Sequence, residues 1–256
     1  MLDFLASVGR VFIAFLGASG RLAIFALAAV SHCFRPPFYF RLVGKQMIDI
    51  GYYSLPVVGL TAIFTGMVLA LQTHTGFSRF GAESAMATVV VLSVTRELGP
   101  VIAALMVAGR IGAAIAAEIG TMRVTDQIDA LSTLSTNPFK YLVVPRIFAG
   151  LVTVPMLVFV ADIIGVFGGY IVATYKFGFN PSTYLHSTAE NLTAKDVFSG
   201  LIKAGAFGFI VSLMGCYHGY HSRGGAQGVG AATTYAVVSA SVMILLFDYI
   251  LTSVLF

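Results

Sequence analysis

The sequence predicts an all-α integral membrane protein, and three observations carry that expectation. Of its 256 residues 58% are apolar and 10% are charged, with a mean hydropathy of +0.91, whereas about a quarter of a soluble domain is charged. Five apolar runs, at residues 50–72, 85–117, 147–175, 197–217 and 231–256, each reach the ~20 residues that a helix needs to cross a bilayer. None alternates in and out as a barrel strand does, and an isolated strand would leave its backbone groups unpaired in lipid. The length leaves no separate soluble domain. Residues 1–256 read as one transmembrane domain, with 1–47 an N-terminal helix and linker and 48–256 a five-span bundle. Catalytic or ATP-binding machinery belongs on another polypeptide.

The first element covers residues 4–34, apolar but interrupted by Arg10 and Arg21 and ending at Pro36-Pro37. It reads as an amphipathic helix in the membrane interface, its arginines reaching for headgroups. The rival reading, a sixth span from Val11 to Val30, would put Arg21 in mid-membrane. With five spans, Arg10, Arg21, Arg35, Arg41, Lys45, Arg123, Lys140, Arg146 and Arg223 fall on one side, against Arg79, Lys176 and Lys195 on the other. The first side is therefore expected to be cytoplasmic, with loops 118–146 and 218–230, and loops 73–84 and 176–196 and the final Phe256 outside. The net charge of +4 then faces anionic lipid, which makes nucleic acid a poor partner. A cleaved signal peptide is not expected, since Asp3 and an interrupted apolar stretch replace a basic start.

Local signals punctuate the rest. Asn180-Pro181 opens a short outer helix over 181–190, and Thr193 with Asp196 forms a capping box at the fourth span. Small residues at every fourth position, Gly165/Gly169, Gly112/Ala116/Gly120 and Gly200/Ala204/Gly208, mark faces for close helix packing. Arg96-Glu97-Leu98-Gly99-Pro100 interrupts a run too long for a simple crossing, so a kink is expected there.

Ionisable residues inside the apolar runs are the strongest functional signal: Arg96, Glu97, Arg110, Asp162, Lys203 and Asp248. Each costs roughly 2.5–3.5 kcal/mol at mid-membrane, so each should face the bundle interior, a partner or a wet cavity. At ~1.5 Å per residue, Glu97 lies ~30 Å above Glu118, while Lys203 and Asp248 lie ~10–12 Å below the outer surface. Arg96, Glu97, Lys203 and Asp248 therefore form either an outward-opening, polar-rimmed cavity or a structural ion-pair cluster. Arg110 is read as reaching cytoplasmic headgroups, and Asp162 has no evident partner. Between the second and third spans, Val124, Ile128 and Leu131 recur at helical spacing, giving a short amphipathic helix over about 121–131. It either folds back on its own bundle or inserts into a groove of a soluble motor subunit.

The stretch RELGPVIAALMVAGRIGAAIAAEIGTMRVTDQIDAL, Arg96 to Leu131, resembles the signature of the MlaE-type permeases, membrane subunits of bacterial ABC transporters that move phospholipids between outer and inner membranes. Gly228 to Val238 resembles the family's second marked segment. Asp126 departs from the glutamate common in a Thr-Glu-Gln triplet, which shortens the carboxylate's reach. The resemblance implies a homodimer in the bacterial inner membrane, N-terminus cytoplasmic. Cytoplasmic ABC ATPases would bind the ATP, and MCE-domain proteins would sit on the periplasmic side, with room for an accessory cytoplasmic STAS-domain protein. It also implies a phospholipid pocket between protomers near the outer leaflet, which favours the cavity reading for Arg96, Glu97, Lys203 and Asp248. Glu118, Arg123, Thr125, Asp126, Gln127 and Asp129 are then the ATPase-coupling residues.

No GxxxxGK[ST] loop occurs, so no cofactor is expected in this chain itself, and Gly228-Val229-Gly230 reads as a flexible entry to the last span. Cys33, Cys216, His218 and His221 fit no disulfide or metal spacing. Two other function classes stay open: an intramembrane enzyme using Glu97 or Asp248 as acid or base, and a passive channel.

Overall fold

A computed structural model describes residues 2–81 and 85–255; residues 82–84 of the expected outer loop 73–84, and the final Phe256, lie outside the described residues. The described residues form helices α1 (Leu2–Cys33), α2 (Phe40–Phe77), α3 (Met86–Val124), α4 (Gln127–Thr133), α5 (Phe139–Lys176), α6 (Pro181–Asn191), α7 (Ala194–Tyr220) and α8 (Gly225–Leu255). No strand occurs among them. The chain is an all-α, multi-pass membrane protein. α2, α3, α5, α7 and α8 match the five expected spans; α2, α5 and α7 run beyond their apolar runs at both ends, α3 at its C-terminal end and α8 at its N-terminal end.

α5 is the central post, packed most extensively on α2 and α7. Glycine makes those contacts possible. A Cβ at Gly66 of α2 would lie 1.8 Å from the Gly165 carbonyl of α5, and one at Gly208 of α7 would lie 2.2 Å from the Gly150 carbonyl. The glycine stripes at Gly165/Gly169 and Gly200/Gly208 are thus seams within one chain.

α3 is continuous, but not a regular α-helix. It widens into π-turns at Val94–Leu98 and Ala108–Gly112. The first directly precedes Gly99-Pro100, so the expected kink takes the form of one wide turn that accommodates a proline without an amide hydrogen. The Asn180 cap accepts from the Ser182 amide, and both halves of the Thr193/Asp196 capping box are made.

α1 is long and apolar enough to cross a bilayer. Its contacts lie where α5 begins and α7 ends. Phe25 meets Phe139, Tyr217, Tyr220 and His221, and His32, two turns on, stacks on the same Phe139.

Three expectations need correction. The helix expected over 121–131 is broken: residues up to Val124 finish α3, Asp126 takes a left-handed turn (φ 57°), and α4 begins at Gln127. Arg146 is not a loop residue but is buried in α5. Gly228 and Gly230 are helical, and the turn into α8 is made by Gly224 and Gly225, with φ of 89° and 67°.

Candidate functional site

Towards the α6 end of the bundle, α3, α7 and α8 meet at one buried ammonium. Lys203 of α7 is fully buried, and its Nζ, with three N–H bonds to share, lies within hydrogen-bond distance of four acceptors: Glu97 Oε2 (2.6 Å), Asp248 Oδ1 (3.1 Å), Thr252 Oγ1 (2.6 Å) and the Arg96 carbonyl (3.2 Å). Helix geometry sets this up. Gly200, one turn before Lys203, lets α7 approach so closely that a Cβ there would lie 2.3 Å from the Thr95 carbonyl. Asp248 and Thr252 are four apart on α8 and so share a face.

The node is electrostatically uneven. One cation faces two carboxylates, and the carboxylates keep an open edge: side-chain exposure is 38% at Glu97 and 21% at Asp248, against none at Lys203. Removing the lysine would leave two like charges facing each other in a low-dielectric setting, whereas neutralising either carboxylate leaves Lys203 with acceptors.

Of the four residues expected to line a cavity, the structure brings Glu97, Lys203 and Asp248 together. In the single chain they bond to each other rather than stand apart around a hollow. Arg96 contributes its carbonyl, and its guanidinium pairs with Asp196, with Nη2 2.6 Å from Oδ1. That carboxylate also accepts from the Thr193 amide and hydroxyl. Neither Thr252 nor the pairing of Asp196 with Arg96 was read from sequence. Thr252 was findable from its spacing to Asp248, while Asp196 was read only as a cap.

Arg110 is held by its own bundle. Its Nη1 donates to the Asp49 carbonyl (3.2 Å) and Ser54 Oγ (2.8 Å), tying α3 to the 3-10 turn Tyr52–Ser54 within α2. At the opposite end, α4 is pinned by Ile128, buried in the core, and by the Arg123–Asp129 pair (2.7 Å). Thr125, Asp126, Gln127 and Asp129 are exposed, and Leu134 beside them is 74% exposed. Glu118 pairs with Arg146, which also donates to the Leu142 carbonyl (2.7 Å). The short helix is therefore both folded onto its own bundle and open on its outer edge.

Six helices long and apolar enough to cross a bilayer, a polar node among them and a short exposed helix at the opposite end define a multi-pass membrane protein. The sequence profile of the permease MlaE family matches residues 43–254, and the chain belongs to that family. It is 58% identical over 256 residues to a probable ABC transporter permease protein of Rickettsia bellii, covering 100% of this chain and 99% of that one. A probable ABC transporter permease protein of Synechocystis is 41% identical over 212 residues, 83% of this chain and 81% of the relative. The intermembrane phospholipid transport system permease protein MlaE of Haemophilus influenzae is 34% identical over 257 residues, 100% and 98% of the two chains. The chain is a transporter permease.

Proposed function

We propose that this chain is the non-catalytic permease subunit of an ABC transporter that moves phospholipid between the inner and outer membranes of a bacterium. It works as a homodimer in the inner membrane, driven by a separate cytoplasmic ATPase and joined on the periplasmic side by an MCE-domain protein. The observation that carries this reading is the Lys203 node, a buried polar junction whose two carboxylates stay partly open within the membrane-crossing helices. α8, which supplies one of them, presents an apolar face with Tyr235, Val242, Leu245 and Tyr249 more than half exposed. Two such faces brought together would enclose acyl chains, with the carboxylate edges and Lys203 next to the headgroup. The Haemophilus relative's name supports phospholipid as the cargo.

Coupling follows the chain. The exposed edge at Thr125–Gln127 and Asp129, with Leu134, is the docking knob for the ATPase, and Glu118 and Arg123 brace it from behind. α3 runs unbroken from that knob to Glu97, so a push from the motor reaches the node through one helix. The excess of lysine and arginine supports a cytoplasmic knob and N-terminus. The shared contact of Phe25 and His32 with Phe139 supports an α1 that lies along the interface.

The test is ATP-dependent phospholipid transfer by the complex with its co-purifying ATPase in proteoliposomes, with Glu97→Gln and Asp248→Asn. Both variants should assemble, because Lys203 keeps other acceptors, and transfer should fall by about tenfold or more, the effect of one lost charged hydrogen bond. A photocrosslinker at position 97 should capture phospholipid. Lipid turnover by the isolated chain, or an ATP-independent ion leak, would instead establish the enzyme or the channel and overturn the reading.

A further inference from the structure

A second hydrophobic space lies between α3, α5, α6 and α7, and none of Glu97, Lys203 and Asp248 lines it. Its volume is about 430 Å³, within the roughly 300–1,000 Å³ of small-ligand pockets. Val91, Val166, Leu185 and Leu192 form apolar wall, and Phe159, Ile163 and Phe167 line the mouth. These last three are each about half exposed on a membrane-crossing helix, so the opening faces lipid.

Asp162 belongs to the same wall. It is 6% exposed, and its Oδ1 has no hydrogen-bond partner. The contrast with the other ionisable groups in the spans is sharp. Arg96 has Asp196, Glu97 and Asp248 have Lys203, Arg110 has Ser54, and Arg146 has Glu118. An unmatched buried carboxylate is costly, and a ligand that donates to it relieves that cost. Local sequence makes room for the group: a Cβ at Gly99 would lie 1.8 Å from Asp162 Oδ1. Thr95 and Val197, the neighbours of Arg96 and Asp196, also line the space. Asp162 thus sits beside Gly99, one turn inward of Thr95 on α3.

We propose that this cavity is a second lipid site, contained within one subunit, for a bilayer lipid whose headgroup donates a hydrogen bond to Asp162. The acyl chain lies along α5 between Phe159 and Phe167. An ethanolamine or a glycerol head qualifies. A choline head does not, because its quaternary nitrogen carries no hydrogen. The site stands independently of the seam between protomers and of the cargo proposed above.

The experiment uses the intact complex in nanodiscs containing diacyl phospholipids that share one photoactivatable acyl chain and differ only in head: ethanolamine, glycerol or choline. Peptides carrying Ile163, Val166 and Leu185 should be labelled about tenfold more by the ethanolamine and glycerol lipids than by the choline lipid, the worth of one hydrogen bond to a carboxylate. Asp162→Leu should abolish that preference, while labelling around Tyr249 on α8 shows none in either protein. Equal labelling by all three lipids in the unmutated complex would overturn the proposal, as would a preference that survives Asp162→Leu or a crosslink to another protein's helix in place of lipid. Should Asp162→Leu fail to assemble, Val166→Trp tests the same space by filling it, and labelling that persists there at full strength overturns the site.

Discussion

Arg146 Nη2 lies 2.7 Å from Glu118 Oε2, yet the arginine is only 4% exposed and the glutamate 56%. This asymmetry predicts unequal mutants. Glu118→Ala strands a charge inside the bundle and should cost about 3 kcal/mol, as removing one partner of a buried pair does. Arg146→Met keeps the packing and leaves a carboxylate that water can solvate, so its cost should be small, and it should rescue Glu118→Ala. Thermal melts of the purified protein by size-exclusion fluorescence check the order; equal losses would refute it.

Asp126 holds a left-handed turn at φ 57°, a region that costs a residue with a Cβ roughly 1–2 kcal/mol. Asp126→Gly should therefore hold or raise the melting temperature. If the carboxylate meets the motor, the same variant should lower the ATPase rate of the complex by several-fold. Asp126→Val should lower both, since a β-branched residue resists the turn. An Asp126→Gly complex with unchanged ATPase rate would remove Asp126 from the coupling surface.

Glycine contacts rank a third set. Gly66→Ala forces a methyl to within 1.8 Å of the Gly165 carbonyl, whereas the reciprocal Gly165→Ala meets its nearest atom, Val94 Cγ1, at 3.1 Å. The first should abolish assembly, and the second should lower stability by a smaller step. Gly44→Ala has nothing within 4 Å and should be neutral or gain about 1 kcal/mol of helix propensity. Yield and melting temperature of the three variants decide it.

Tyr184 gives a pH prediction. Its hydroxyl is buried without a partner on α6, and burial pushes its pKa up from 10.0 to about 12. The unfolded chain loses this proton first. The stability held by the neutral phenol is therefore complete below pH 10 and falls as pH rises from 10 to 12. Tyr184→Phe should flatten the alkaline limb of the melting profile and leave neutral-pH stability unchanged or higher, because an orphaned hydroxyl is removed. A steeper limb in the variant would contradict this.

The spans were legible because apolar runs of twenty or more residues have one outcome in lipid, and the convergence of Glu97, Lys203 and Asp248 was legible because depth follows from counting residues. Arg96 was not: its neighbour Glu97 faces α8 while its own side chain finds Asp196, a pairing a hundred residues apart that no local spacing encodes. Arg146 looked like a loop residue because it borders an apolar run, although α5 starts seven residues earlier. The break at Asp126 also escaped, since apolar residues at Val124, Ile128 and Leu131 keep helical spacing across a turn that is not helical. Asp162 was visible as a charge without a partner, and the fold leaves it so.

The wide turns of α3 change how that helix must be read in experiments. A π-turn holds an additional residue, so positions outward of Val94–Leu98 are rotated by about 100° from where a count of 3.6 per turn would put them, and Ala108–Gly112 adds a second offset. A cysteine or alanine scan along Met86–Val124 plotted on an ordinary helical wheel would therefore scatter one physical stripe across three. Phased separately on each side of the two turns, the same data should collapse onto a single face.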